Sequence, residues 1–121
     1  MKLAVIGSRH ATTEAHYEQL SRELDALAAA QPIKLIISGG ALTGADAHVE
    51  RYAQSRGIAI QIHRPDYKAH GRAAPLVRNQ LIIDAAEACF ALWDGVSKGT
   101  GHALRHARKR GLKLIIVAPL P

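Results

Sequence analysis

Aromatic residues are scarce in this chain. Three tyrosines, one tryptophan and one phenylalanine make up 4% of its 121 residues. Ala, Ile, Leu and Val must therefore build the interior, as where helices pack on a buried parallel sheet. The same scarcity argues against a surface that stacks successive bases of a single strand. Cysteine is scarcer still. Cys89 stands alone in an apolar run, so it forms no internal disulfide and is expected to be a core thiol. No apolar run approaches transmembrane length, and because Met1–Ile6 runs straight into a strand and Gly7, a signal peptide is not expected. A cytoplasmic location with no membrane partner is expected.

Several signatures of particular chemistries are missing. There is no dinucleotide G-x-G-x-x-G and no Walker A G-K-[ST]. His102 and His106 are four apart, but Ala103-Leu104-Arg105 separates them, so H-E-x-x-H is absent and no third ligand has diagnostic spacing. Neither a metal nor a resident cofactor is expected. Ser8 or Ser38 can be combined with a His and an Asp on paper, but no nucleophile elbow surrounds either serine.

What is present is a 48% hydrophobic fraction, enough for a proper core in one domain spanning 1–121. The net charge is +6 and the pI about 9.9, a balance that favours anionic partners. Much of the excess lies in Arg105-His106-Ala107-Arg108-Lys109-Arg110. That run either complements the negative end of a helix or touches nucleic acid.

Strand-like and helix-like segments alternate along the chain. Apolar runs at Lys2–Ile6, Lys34–Ile37, Ile58–His63, Ala88–Leu92 and Lys113–Val117 predict five strands. Helical spacing predicts helices over Thr13–Ala30, Ala45–Arg56, Pro75–Glu87 and Thr100–Arg110, with Gly57 and Gly111 as stops. Pro65–Ala74 reads as a polar loop. Right-handed crossovers then give a Rossmann-like α/β protein, three layers deep, whose five-stranded parallel sheet has the order 3-2-1-4-5. Ligands of such sheets bind at the carboxyl ends of strands beside the point where the order reverses.

That rule selects three glycine-rich strand ends: Gly7-Ser8-Arg9, Ser38-Gly39-Gly40 with Gly44-Ala45-Asp46, and Trp93-Asp94-Gly95 with Ser97-Lys98-Gly99-Thr100. Glycine lets amides approach a ligand, and a helix start offers free N–H groups to an anion. Each is also ordinary turn or capping chemistry. Ser97 to Thr100 is the best phosphate cradle. Arg9 and Arg78 would grip a phosphate, and Asn79 accompanies Arg78 at the start of a helix. Asp46 would meet ribose hydroxyls, act as an acid or base, or simply sit well in a first helical turn. Asp94 would read a ribose or base edge, or form a turn.

Taken in order, these motifs resemble the YspA-like, YpsA-related branch of the SLOG superfamily. The relatives include the lonely-guy phosphoribohydrolases and the Rossmann-like part of the DNA-processing protein DprA. The resemblance implies a nucleotide-derived ligand on a Rossmannoid fold and leaves the activity open. Against the lonely-guy pattern, Arg78 falls on the Arg of an Arg-Lys pair, Asn79 replaces the Lys, and Gly99-Thr100 falls on Gly-Thr. Gly101, His102 and Ala103 stand where those enzymes carry a Glu. The first expectation is a binder or sensor of a phosphate-bearing nucleotide. The second is a hydrolase of N-glycosidic or phosphate bonds, with Asp46, Asp94 and Arg78 as its catalytic candidates. The third is a DprA-like nucleic-acid module. A homodimer is expected through the helix carrying Leu76, Val77, Leu81, Ile82 and Ile83, which is apolar on more than one side.

Overall fold

Neighbouring residues of the inner strands face opposite sides of the sheet, and both sides are apolar. In the computed structural model, which describes residues 1–120, the strands are β1 (Lys2–Gly7), β2 (Leu35–Ser38), β3 (Ala59–Ile62), β4 (Ala88–Trp93) and β5 (Leu114–Pro119). All pair in parallel in the order β3-β2-β1-β4-β5, as expected. Pro121, part of the expected domain, lies outside the described residues.

Leu3, Val5, Ile36, Phe90 and Leu92 enter one core with α1 (Glu14–Ala30) and α2 (Ala45–Arg56). Ala4, Ile6, Ile37, Cys89 and Ala91 enter another, on the face of the sheet covered by helices later in the chain. Those helices follow α3 (Tyr67–His70) and are α4 (Ala74–Asp84) and α5 (Lys98–Arg110), which contribute Ile82, Ile83, Ala103, Leu104 and Ala107. The result is a Rossmann-like sandwich of three layers. Cys89 is buried there, and burial pushes its thiol up to about 12. No helix among the described residues is long and apolar enough to cross a membrane.

Most boundaries lie within one residue of expectation, and four readings differ by more, each for a local reason. Pro65–Ala74 contains α3 and a 3-10 turn over Gly71–Ala73, because Asp66 Oδ1 accepts the Ala69 N–H at 3.1 Å and starts a helical turn. α4 ends at Asp84 instead of Glu87. The Glu87 N–H already donates to Lys2 O at 2.9 Å and belongs to the sheet's entry. α5 begins at Lys98 because Ser97 O accepts the Gly101 N–H at 3.1 Å. β5 continues to Pro119, in register with Trp93. On α4, Ile82 and Ile83 are buried whereas Leu76 and Leu81 are exposed.

Gly7 closes β1 where the backbone has no room for a side chain. A Cβ there would collide with Leu92 O of β4 and come within 2.6 Å of Ala45 Cβ at the start of α2. Overpacking of this kind costs about 1–3 kcal/mol. Gly7→Ala is therefore expected to lower the unfolding free energy by that amount, read as a lower urea midpoint at an unchanged slope.

Candidate functional site

The carboxyl ends of β1, β2 and β4 open on one rim, and a cleft of about 270 Å³ lies there. Of the residues selected from sequence, Gly7, Arg9, Gly39 and Asp46 line it. So do Arg78, Asn79, Ser97, Gly99 and Thr100 from the α4 and α5 side. Ser8, Ser38, Gly40, Gly44 and Asp94 do not.

Arg78 is the centre of the arrangement. It sits one turn into α4 and is only 9% exposed. Its Nη1 donates to Gly39 O at 3.0 Å, and its Nε donates to Asn79 Oδ1 at 2.9 Å. Asn79 in turn donates through Nδ2 to Gly99 O at 3.3 Å. One Arg-Asn pair thus joins the end of β2 to the first turn of α5. Nη2 of Arg78 makes no hydrogen bond among the described residues, although the side chain lines the cleft. Burial pulls the Arg78 pKa below the usual guanidinium value, and the Asp46 charge opposes that shift.

Asp46 approaches the same point from the first turn of α2. Its Oδ2 accepts the Ala41 N–H at 3.0 Å. Burial raises its pKa, with the Ala41 N–H and the Arg78 charge pulling the other way. Gly39 makes this convergence sterically feasible. A Cβ on Gly39 would lie 2.6 Å from Arg78 Nη1 and 3.0 Å from Asp46 Oδ2.

The remaining selected residues build the rim. Asp94 N–H donates to Ser8 Oγ at 3.1 Å, and Ser97 Oγ donates to Asp94 Oδ2 at 2.7 Å. Ser8 Oγ lies 3.2 Å from Ser97 Oγ. The Ser97 proton already goes to the carboxylate, so Ser8 is the donor in that contact. These three residues close a ring that joins the ends of β1 and β4. Asp94 Oδ1 also accepts the N–H groups of Val96 and Ser97 at 2.9 and 2.8 Å. The backbone donors and the Ser97 hydroxyl hold its carboxyl down to about 2. Asp94 thus forms the turn and does not line the cleft. Ser38 is fully buried, with its hydroxyl unpartnered, while its carbonyl accepts the His63 N–H at 2.9 Å. Gly44 serves as the N-cap of α2, and Gly40 O accepts from Arg64 Nη1 at 2.9 Å. His106, one half of the helical His pair, has Nε2 2.8 Å from Asp84 Oδ1.

Sequence reasoning overlooked the apolar lining. Ile6, Ile82 and Ala103 are buried and line the cleft. Helical spacing held the signal, since Ile82 is four residues after Arg78 and Ala103 three after Thr100. His10, Thr43 and Pro75 also line it and carried no motif.

Comparison with known proteins bears on the whole chain. A family model described as the YspA, cpYpsA-related SLOG family matches residues 1–70. The match includes Gly39 and Asp46 and stops short of Arg78. Gene 61 protein of Mycobacterium phage D29 is 33% identical over 90 residues, covering 69% of this chain and 72% of that protein. Two solved structures are similar in fold. The molybdenum cofactor binding protein from the phototrophic bacterium Rippkaea orientalis has a TM-score of 0.70 at 16% identity, over 96% of this chain and 76% of that one. DNA processing protein A from Helicobacter pylori has a TM-score of 0.73 at 20% identity, over 100% of this chain and 66% of that one.

The two aspartates are expected to move stability in opposite senses. Asp46 has a folded pKa raised above its ordinary 3.8, so its stabilising contribution is present below that value and is lost as pH rises through the raised one. Asp94 is held near 2, so its contribution is present above 3.8 and is lost as pH falls. Thermal unfolding between about pH 2 and pH 7 measures both. The wild type should lose ground to Asp46→Asn as pH rises above 3.8, and to Asp94→Asn as pH falls below it.

Proposed function

This chain belongs to the YspA, cpYpsA-related SLOG family, and from that premise we propose that it binds a phosphate-bearing nucleotide or nucleotide derivative in the cleft around Arg78. The observation that carries the proposal is the unused Nη2 of an arginine that is nine-tenths buried as a residue and lines the cleft. A desolvated arginine whose other nitrogens are fixed presents its remaining donors to an oxyanion in one geometry.

The start of α5 supports the same ligand. Its first-turn amides have no intrahelical acceptors, and the positive helix end favours a phosphate. Gly99 is the informative residue there. A Cβ would meet nothing closer than Asn79 Nδ2 at 3.8 Å, so packing within the chain does not require a glycine. A ligand oxygen against the backbone would. Asp46 would repel a phosphate placed directly on it, so it is assigned to ribose hydroxyls. Arg9 lines the cleft with an exposed side chain, as suits an outer phosphate contact. The structural neighbours named for a molybdenum cofactor and for single-stranded DNA agree with a rim that accepts anionic ligands.

One observation favours hydrolysis as a second reading. Asp46 is half-buried, faces the cleft and has a raised pKa, which suits a general acid or base. It would then act on an N-glycosidic or phosphate bond anchored by Arg78. No carboxylate stands on the turn after Gly99-Thr100.

Titration calorimetry with nucleoside monophosphates and NAD-like compounds tests binding. Arg78→Lys keeps the charge and removes the fork, and is expected to weaken binding at least about tenfold. The proposal fails if no compound of the panel binds at about 1 mM, a level that corresponds to only about 4 kcal/mol. Chromatography of the same mixtures decides the second reading, which requires either a released base with its sugar phosphate (N-glycosidic cleavage) or a released phosphate with its nucleoside or nucleotide (phosphate-bond cleavage), in each case abolished by Asp46→Asn. A nucleic-acid module would instead bind single strands with affinity that falls steeply with salt.

A further inference from the structure

The helices on the two faces of the sheet carry opposite charge. On one face, α1 and α2 bear six carboxylates and three arginines, and two of those arginines are paired, Arg51 with Glu14 and Arg56 with Asp25. On the other face, α5 bears five cations and no carboxylate. The net charge of +6 is therefore weighted to one side of the sheet.

Helical spacing gathers the cations of α5. Lys98, Arg105 and Lys109 are seven and four residues apart, so they share one outward stripe, with Arg108 beside it. All four are exposed, whereas Ala103, Leu104 and Ala107 are buried in the core beneath the helix. At 1.5 Å per residue the stripe is about 17 Å long. Arg110 stands apart from it. Its Nε lies 3.1 Å from Asp84 Oδ1, which also lies 2.8 Å from His106 Nε2. Asp84 is the one carboxylate paired with α5 among the described residues, so the four stripe cations have no ion-pair partner there.

The helix dipole accounts for only part of this. The negative end of a helix amounts to about half a charge and acts within the last turn. Arg110 already stands in that turn. Arg105 lies outside it, and Lys98 stands at the positive end, where a cation is disfavoured. Lys98 does not line the cleft either. A row of unpaired cations along the whole helix matches a row of anions. Duplex nucleic acid supplies one, because each strand advances about 3.4 Å per phosphate and about five phosphates span the stripe. A single strand fits less well, since α5 has no Phe, Tyr or Trp on which bases could stack. A membrane fits less well too, since the apolar residues of α5 are buried and none is left to enter lipid. We propose that the outer face of α5 docks on the phosphate backbone of duplex nucleic acid, separately from the cleft. The carboxylates of α1 and α2 keep the other face away from the same polyanion, so the docking is one-sided.

Fluorescence anisotropy of a labelled DNA duplex of about 20 base pairs, in about 50–200 mM salt, tests the proposal. Four phosphate contacts give a slope of about −3.6 in log K against log salt, a loss of roughly a hundredfold across that range. Replacing Arg105, Arg108 and Lys109 together (Arg105→Gln, Arg108→Gln, Lys109→Gln) should flatten the slope by about 2.7 and leave nucleotide binding in the cleft unchanged. A control with Arg22→Gln, Lys34→Gln and Lys68→Gln removes the same charge from exposed positions elsewhere and should keep the slope. Unfolding temperature verifies that both variants fold. The proposal is overturned if the wild type leaves the duplex unbound at about 50 mM salt, whether or not it binds phosphatidylserine vesicles. It is equally overturned if the α5 variant keeps the slope, if the control flattens it as much, or if a single strand binds more tightly than the duplex. A duplex seated at the cleft would be lost with Arg78→Lys and kept by the α5 variant, which also overturns it. The cleft proposal is decided separately, by nucleotides alone.

Discussion

Everything at the rim depends on the reach of Arg78 to the carbonyl of Gly39. That contact carries a charged side chain through the wall between α4 and the sheet and joins the end of β2 to α4. It requires a bare backbone at Gly39, because a methyl group would occupy the place of the guanidinium. It also requires a nearby counter-charge, which Asp46 supplies from the other layer. Three elements distant in sequence are therefore constrained together, and the cleft is the space they leave.

The chemistry of that space follows from desolvation. Burial works against both charges, lowering the pKa of Arg78 and raising that of Asp46. The pair is held without the direct bidentate contact that would neutralise it fully. Each partner instead satisfies a backbone group: Gly39 O for the arginine and the Ala41 N–H for the carboxylate. Groups fixed in this way keep donors and acceptors pointed at a ligand, at a cost to stability that is usual for functional sites.

The fold was legible because it is written in periodicity. Short apolar runs such as Lys2–Ile6 and Ala88–Leu92, interleaved with helical spacing, imply a parallel sheet, and handedness then orders it. The site was only half legible. Arg78, Asn79, Asp46 and Gly99, all selected from sequence, line one cleft because strand ends converge on one rim. Letters alone did not separate Asp46 from Asp94. Both are half-buried, but the first accepts one backbone donor, whereas the second is saturated by Ser97 and Val96. Nor did they separate Gly7 and Gly39, which are glycines because neighbouring atoms exclude a side chain, from Gly99, which is not. The short helix α3 was hidden for another reason. A helix of one turn has no repeat to detect, and a polar composition around it reads as loop.

The ring of Ser8, Ser97 and Asp94 has a consequence of its own. A carboxylate only accepts, so each hydroxyl proton in the ring has a single allowed direction. The circuit runs one way, from the Asp94 amide through Ser8 to Ser97 and back to the Asp94 side chain. A circuit with one sense has no free rotor in it. Two serines that look from sequence like spare nucleophiles or adaptable phosphate donors are in fact orientationally frozen. The loop most suggestive of pliancy in the primary structure behaves as a clasp between two strands.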